Sequence, residues 1–153
     1  MASLALLAAL HRLSRGQTSD GELRWTQADS VAAVGEWNLV LRAHAWRDFM
    51  PRPDTVRAGS DLMVNLQINS LEGRSLPPGL TVDSAWVRCA DGEWSTAPTR
   101  EPRPELADCL DLMLRGGPRW STGQAIDVLV RLRLPAGEVR YLQARRRPIG
   151  RTE

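Results

Sequence analysis

Hydrophobic and polar side chains alternate with a period of two in several stretches of this chain, most strictly near its C-terminal end. Ile126, Val128, Val130, Leu132 and Leu134 fall on one face, with Asp127, Arg131 and Arg133 on the other. That is the pattern of a half-buried β-strand. The run stops at Pro135-Ala136-Gly137-Glu138, where Pro fixes φ and Gly admits a positive φ. Extended character resumes at Val139-Arg140-Tyr141-Leu142, so the pair reads as a β-hairpin. A second alternating run places Leu62, Val64, Leu66 and Ile68 against Asp61, Met63, Asn65, Gln67 and Asn69. Two such runs predict antiparallel sheet with one face in the core.

Between these runs the same signals recur. Trp37, Leu39, Leu41 and Ala43 predict a first strand that ends near Trp46 and is broken by Met50-Pro51-Arg52-Pro53. A third strand is expected over Leu80 to Cys89, with Val82 and Trp86 on one face and Ala85, Val87 and Cys89 on the other. Asp91-Gly92 is hairpin chemistry and opens a short return strand at Glu93-Trp94. Three prolines make 97–105 a loop, and Leu110, Leu112 and Leu114 mark another strand that Gly116-Gly117-Pro118 stops. Arg145-Arg146-Arg147-Pro148 is expected to end the ordered region or to enter a final edge.

Ahead of the first strand the signal is weaker. Met1 to Leu13 is Leu- and Ala-rich and too short to span a bilayer, which takes about 20 apolar residues. Its basic residues His11, Arg12 and Arg15 follow the apolar stretch instead of preceding it, the reverse of a signal peptide. Three readings stay open: a short packed helix, a remnant of a signal that starts upstream, and a membrane-surface anchor. Residues 14–35 are polar and read as a linker or loosely packed arm. The expected organisation is an N-terminal helix or arm with linker over 1–35 and a β-domain over 36–153. With about seven short strands and turn signals between them, the fold class is all-β, an antiparallel β-sandwich.

Composition changes this picture in two places. Every Lys/Arg position is Arg, yet the formal net charge is only +2 because 18 acidic residues offset the 20 arginines. Guanidinium forks suit carboxylate and phosphate, and one local concentration stands out: Arg140, Arg145, Arg146, Arg147 and Arg151. The cluster is a candidate site for an anion or an acidic partner, set against the plainer reading of an edge strand defended by charge. Cys89 and Cys109 are the only cysteines. They are a candidate structural disulfide, which would contribute about 3 kcal/mol and imply an oxidising compartment; two free thiols in a cytosolic protein are the alternative.

The run Val56-Arg57-Ala58-Gly59-Ser60-Asp61-Leu62-Met63-Val64, a turn entering a core strand, and the closing hairpin from Trp120 to Tyr141 resemble an immunoglobulin-like or fibronectin-III-like sandwich of the kind found in bacterial extracytoplasmic proteins. The resemblance covers about Trp37 to Arg151 and implies an immunoglobulin-like arrangement of the strands. Its cysteines are too close together for the inter-sheet pair of antibody domains. Domains of this class mostly bind or connect, and the fold alone does not assign a function.

Catalytic chemistry finds little foothold. His44 is the only histidine of the β-domain, with Asp48 as its nearest orienting carboxylate, and a hydrolase triad needs three groups converging. The carboxylate pairs Asp108 with Asp111 and Glu101 with Glu105 look like exposed charges. His44, Met50 and Met63 are the soft ligands a copper site would use, but they form no ligand motif. No metal, cofactor or catalytic residue is assigned, and the chain is read as a non-enzyme. The expected function is a noncatalytic module that binds or scaffolds another protein, with an extracytoplasmic setting favoured over a cytoplasmic one. The alternative is a cytosolic nucleic-acid-associated β-domain that uses the C-terminal arginines.

Overall fold

A computed structural model describes residues 20–51, 58–101 and 108–153. The apolar stretch 1–13, the turn residues Val56 and Arg57, and Glu105 lie outside the described residues. A helix over 20–27 is followed by nine strands: β1 (Val31–Val34), β2 (Trp37–Asp48), β3 (Leu62–Ser70), β4 (Thr81–Cys89), β5 (Gly92–Thr96), β6 (Thr99–Arg100), β7 (Cys109–Gly117), β8 (Ala125–Arg133) and β9 (Val139–Thr152).

The all-β expectation holds, and the arrangement differs from an antiparallel immunoglobulin-like sandwich of about seven strands. One continuous hydrogen-bonded path runs β5-β4-β8-β9-β2-β3-β7-β6, with β1 paired to β2 beside it. The sheet is mixed and curls into a half-barrel. A parallel ladder joins β2 to β9, from Ala45↔Ile149 to Asp48↔Thr152. The reason is the length of β9. Instead of ending at the arginine run, the strand pairs with β8 through Pro148 and then with β2 through Thr152.

Three β-bulges bend the sheet. Asp83 is an extra residue of β4 between the pairs Val82↔Leu132 and Ser84↔Arg131. On β7, Arg115 and Gly116 oppose Met63 alone, and Gly116 takes φ +76°. On β9, Arg145 and Arg146 oppose Asp127 alone. Each bulge adds local right-handed twist, which turns a flat ladder into a curl. The β4 bulge also explains why Val82 packs toward the same core as Ala85 and Val87: the extra residue resets the alternation.

Inside the curl the alternating residues do as their pattern predicts. Ile126, Val128, Val130 and Leu132 of β8 meet Leu62, Val64, Leu66 and Ile68 of β3 in one apolar cluster, all essentially without solvent contact. Leu129 points the other way, onto the polar face of β8, and is also fully buried. Its cover is the helix over 20–27, in the stretch read as linker or arm. Trp25 and Ala28 pack on Leu129, flanked by Trp86 and Tyr141. The Trp25 indole N–H donates to Glu93 at 2.8 Å, and the Arg88 guanidinium lies 4.0 Å from the centroid of the Trp25 ring. Just past the helix, Asp29 bridges to β9 with both backbone groups: its N–H donates to Tyr141 O and its carbonyl accepts from Gln143 N.

At the end of β2, Arg47 is buried and has no carboxylate hydrogen-bond partner among the described residues. Its guanidinium donates to the carbonyls of Ala58 (2.5 Å), Ser60 (2.8 Å), Arg119 (3.3 Å) and Trp120 (3.1 Å). Burial and the charge of Arg119 lower its pKa, against the opposing pull of Asp61. Four carbonyl dipoles thus take the place of a counter-ion and fasten two turns to the strand that β9 joins.

Across the curl, the Trp94 ring of β5 lies against the backbone of Gly117 on β7. A Cβ at Gly117 would sit 2.7 Å from the Trp94 ring and 3.0 Å from Leu62 Cβ. Gly117→Ala is expected to destabilise the protein by about 1–3 kcal/mol, the usual cost of overpacking. Urea unfolding checks it: the midpoint should fall at constant m, and an unchanged midpoint would mean that the Trp94 ring yields freely.

Candidate functional site

The outward surface of β4, β8 and β9 carries most of the charged groups that the fold organises. Because Val130 and Leu132 face the core, Arg131 and Arg133 face outward, and the bulge of β4 sets Asp83 between them. Arg131 donates from Nε to Asp83 Oδ1 at 2.7 Å and from Nη2 to Oδ2 at 3.1 Å and Ser84 Oγ at 3.2 Å. Arg133 donates to Asp83 Oδ2 from Nε at 3.0 Å and from Nη2 at 2.8 Å. The hydrogen bond from Arg131 leads the effects that hold the Asp83 carboxyl down at about 2; those from Arg133 and Ser84 add to it, and burial opposes it. The Arg131 pKa rises in turn, chiefly through that bond to Asp83. An open cleft of about 480 Å³ adjoins this group, lined by Gln27, Asp29, Arg131, Val139, Arg140 and Tyr141.

The five arginines singled out from the sequence do not form one patch. Residues 140 and 151 are about 36 Å apart along an extended strand. Arg140 sits at the hairpin end of β9 and pairs with Glu138. Arg151 sits at the far end, over the Phe49 ring at 4.0 Å and paired with Glu153. Arg145, Arg146 and Arg147 stay together at the bulge, all three exposed. They lie just before β9 changes partners, with β8 as their neighbour on one side and the ladder to β2 beginning only at Ile149. Arg146 takes φ +53°, rare for a side-chain-bearing residue. Asp127, the single residue opposing the bulge, accepts the Arg146 N–H at 3.0 Å through Oδ1 and faces Arg88 Nε at 3.5 Å through Oδ2. That carboxylate holds the bulge in shape. Arg145 donates to Gln143 Oε1 at 3.0 Å, and none of the three forms an ion pair among the described residues.

The other candidates are not brought together. Cys89 and Cys109 are free thiols, so the expected disulfide is not formed. Cys89 closes the β4–β5 hairpin, where its Sγ accepts the Asp91 N–H, while Cys109 is in register with Asn69 of β3. Burial pushes the Cys109 thiol up. His44 and Asp48 share a strand face four residues apart, about 13 Å, and Asp48 instead accepts the Met50 N–H. Asp111 accepts from Asn65 at 2.5 Å, Glu101 is paired with Arg115 at 2.8 Å, and the Asp108 carbonyl accepts from Asn69. Met63 lies beside Arg115, and Met50 is exposed. Among the described residues no group of three or more His, Cys, Asp or Glu side chains converges, and no helix is long and apolar enough to cross a membrane.

Asp83, Asp127, Arg131 and Arg133 are the organising residues that pattern reading passed over. Each looks like an ordinary outward charge until the bulges set its partners. Comparison with known proteins adds no assignment: no family model matches the chain, and neither do the curated proteins or solved structures compared with it.

The Asp83 carboxyl titrates lower in the folded chain than its unfolded value of about 4. Its contribution to stability is therefore complete above that value and is lost as pH falls through about 2. Asp83→Asn is expected to melt below the wild type near neutral pH, and the gap should close as acid is added. Melting curves across that range check it; a gap that persists undiminished in acid would show that the carboxylate charge is not what Asp83 contributes.

Proposed function

We propose that this protein is a noncatalytic binding module that docks an acidic segment of another protein on the β9 bulge. The observation that carries the reading is three consecutive exposed arginines without ion pairs among the described residues, where most of the other arginines are paired. Arg74, Arg88, Arg115, Arg119, Arg131, Arg133, Arg140 and Arg151 all reach a carboxylate. Arg145, Arg146 and Arg147 do not. Guanidinium forks held on a fixed backbone accept carboxylates in a bidentate manner with little ordering cost. Asp127 supplies that fixing without covering the side chains.

Nucleic acid would use the same charges and would also want aromatic faces on which bases stack. The rings packed on the outward side of β8 favour protein. Trp25 is buried between its own helix and Leu129 of β8, and Trp86 and Tyr141 pack against that cluster.

Fluorescence anisotropy with a labelled polyglutamate peptide tests the proposal on the full chain. The triple variant with Gln at 145, 146 and 147 is expected to bind about tenfold more weakly, since exposed ionic contacts contribute a few tenths to one kcal/mol each. Its salt dependence should flatten as well. Unchanged binding by the triple variant would refute the site, and tighter binding of a single-stranded oligonucleotide than of the peptide would transfer it to nucleic acid.

A further inference from the structure

The outward face of β2 and β3 carries a second constellation, independent of the β9 bulge. Arg42, His44 and Trp46 project from β2, cross-strand from Gln67, Asn65 and Met63 of β3. His44 and Trp46 stack with centroids 5.3 Å apart and planes 29° from parallel. His44 and Arg42 are exposed, and Trp46 is half-buried. On the other side of Trp46 the neighbouring strand supplies only Gly150, whose missing side chain leaves the flank of the indole open.

The polar groups around this aromatic pair are planar and largely uncommitted. The side chains of Arg42, His44 and Gln67 make no hydrogen bond or ion pair among the described residues. Asn65 is spent on Asp111, donating to its Oδ1 at 2.5 Å. Flat amide, imidazole and guanidinium groups offer directed donors and acceptors at one height above a sheet. An indole offers a polarisable plate for C–H groups. A pyranose presents the matching surface, with apolar C–H faces and a rim of hydroxyls. Protein segments, by contrast, would be expected to seek a larger apolar patch.

We infer that this face binds a short acidic saccharide, with a sugar ring against the His44–Trp46 pair and a carboxylate on Arg42. Charge complementarity decides for an acidic sugar over a neutral one, because Arg42 forms no ion pair among the described residues. Length decides for an oligosaccharide over a single ring: positions 42 and 46 are about 13 Å apart on an extended strand.

Amide shifts in a ¹H–¹⁵N NMR titration of the full chain test the inference, with a linear trimer of galacturonic acid as probe and cellotriose as the neutral counterpart. Saturable shifts are expected at residues 42–46 and 63–67, with tighter binding of the acidic trimer. Trp46→Ala should weaken both sugars about tenfold, the scale of one lost stacking contact. Arg42→Gln, a change at an exposed side chain, should abolish the preference for the acidic trimer and leave cellotriose binding in place. The triple glutamine variant at 145, 146 and 147 should bind sugar normally, which separates this surface from the acidic-peptide site. No saturable shift, undiminished binding by Trp46→Ala, or loss of sugar binding in the triple variant would each overturn the inference.

Discussion

Everything in this molecule depends on β9 belonging to two ladders. Over its first part it is the antiparallel partner of β8, and over its last residues the parallel partner of β2. Remove the second ladder and β5-β4-β8-β9 separates from β2-β3-β7-β6 as two open sheets, each with one apolar face in water. The crossing point is fastened from several sides. Ile149 exchanges backbone hydrogen bonds with Gly123 and Gln124, and Arg47 ties the neighbouring turns to β2 through carbonyls alone. A buried cation satisfied by dipoles needs all of them in place, which makes that corner specific to one geometry.

The bulges join fold to surface chemistry. A regular strand sends alternate residues to opposite faces, so it cannot present neighbouring side chains together. The β9 bulge breaks that rule and leaves Arg145, Arg146 and Arg147 all in solvent. The β4 bulge does the reverse: it delivers Asp83 to two arginines of β8 and neutralises part of their charge. The same device that curls the sheet therefore sorts guanidinium groups into engaged and available ones. The face of β2 and β3 with His44 and Trp46 is regular over that span and shows the other solution, a flat array in strict register.

Alternation made β2, β3, β4, β7 and β8 legible in the sequence, because one face of each meets the core and the period survives over many residues. It failed where a single residue departs from the pattern. Leu129 is an apolar side chain on a polar face, and only the docking of Trp25 explains it. The helical residues described, 20–27, carry too few turns for periodicity to speak, and the Trp25 contact is what holds them on the sheet. Bulges leave no trace in a period-two reading, since the extra residue is specified by the partner strand. The arginine run was visible as a run, but its separation from Arg140 and Arg151 follows from an extended strand that propensity would have stopped at Pro148. The disulfide expectation failed for a related reason: two cysteines twenty residues apart in sequence say nothing of where their strands lie, and here each thiol has a different local role.

The parallel ladder has a consequence for how the chain acquires its fold. Asp48 and Thr152 meet across 104 positions, whereas the β8–β9 hairpin closes across a few. Local pairing precedes distant pairing, because the entropy of closing a long loop must be met before any contact repays it. On a ribosome, β2 and β3 emerge and pair long before β9 exists, and the last third of β2, which awaits its parallel partner, stands as a bare strand edge. That edge, from Ala45 to Asp48, is where a nascent chain would recruit the wrong neighbour, and the time it stays open is set by the synthesis of the hundred residues between.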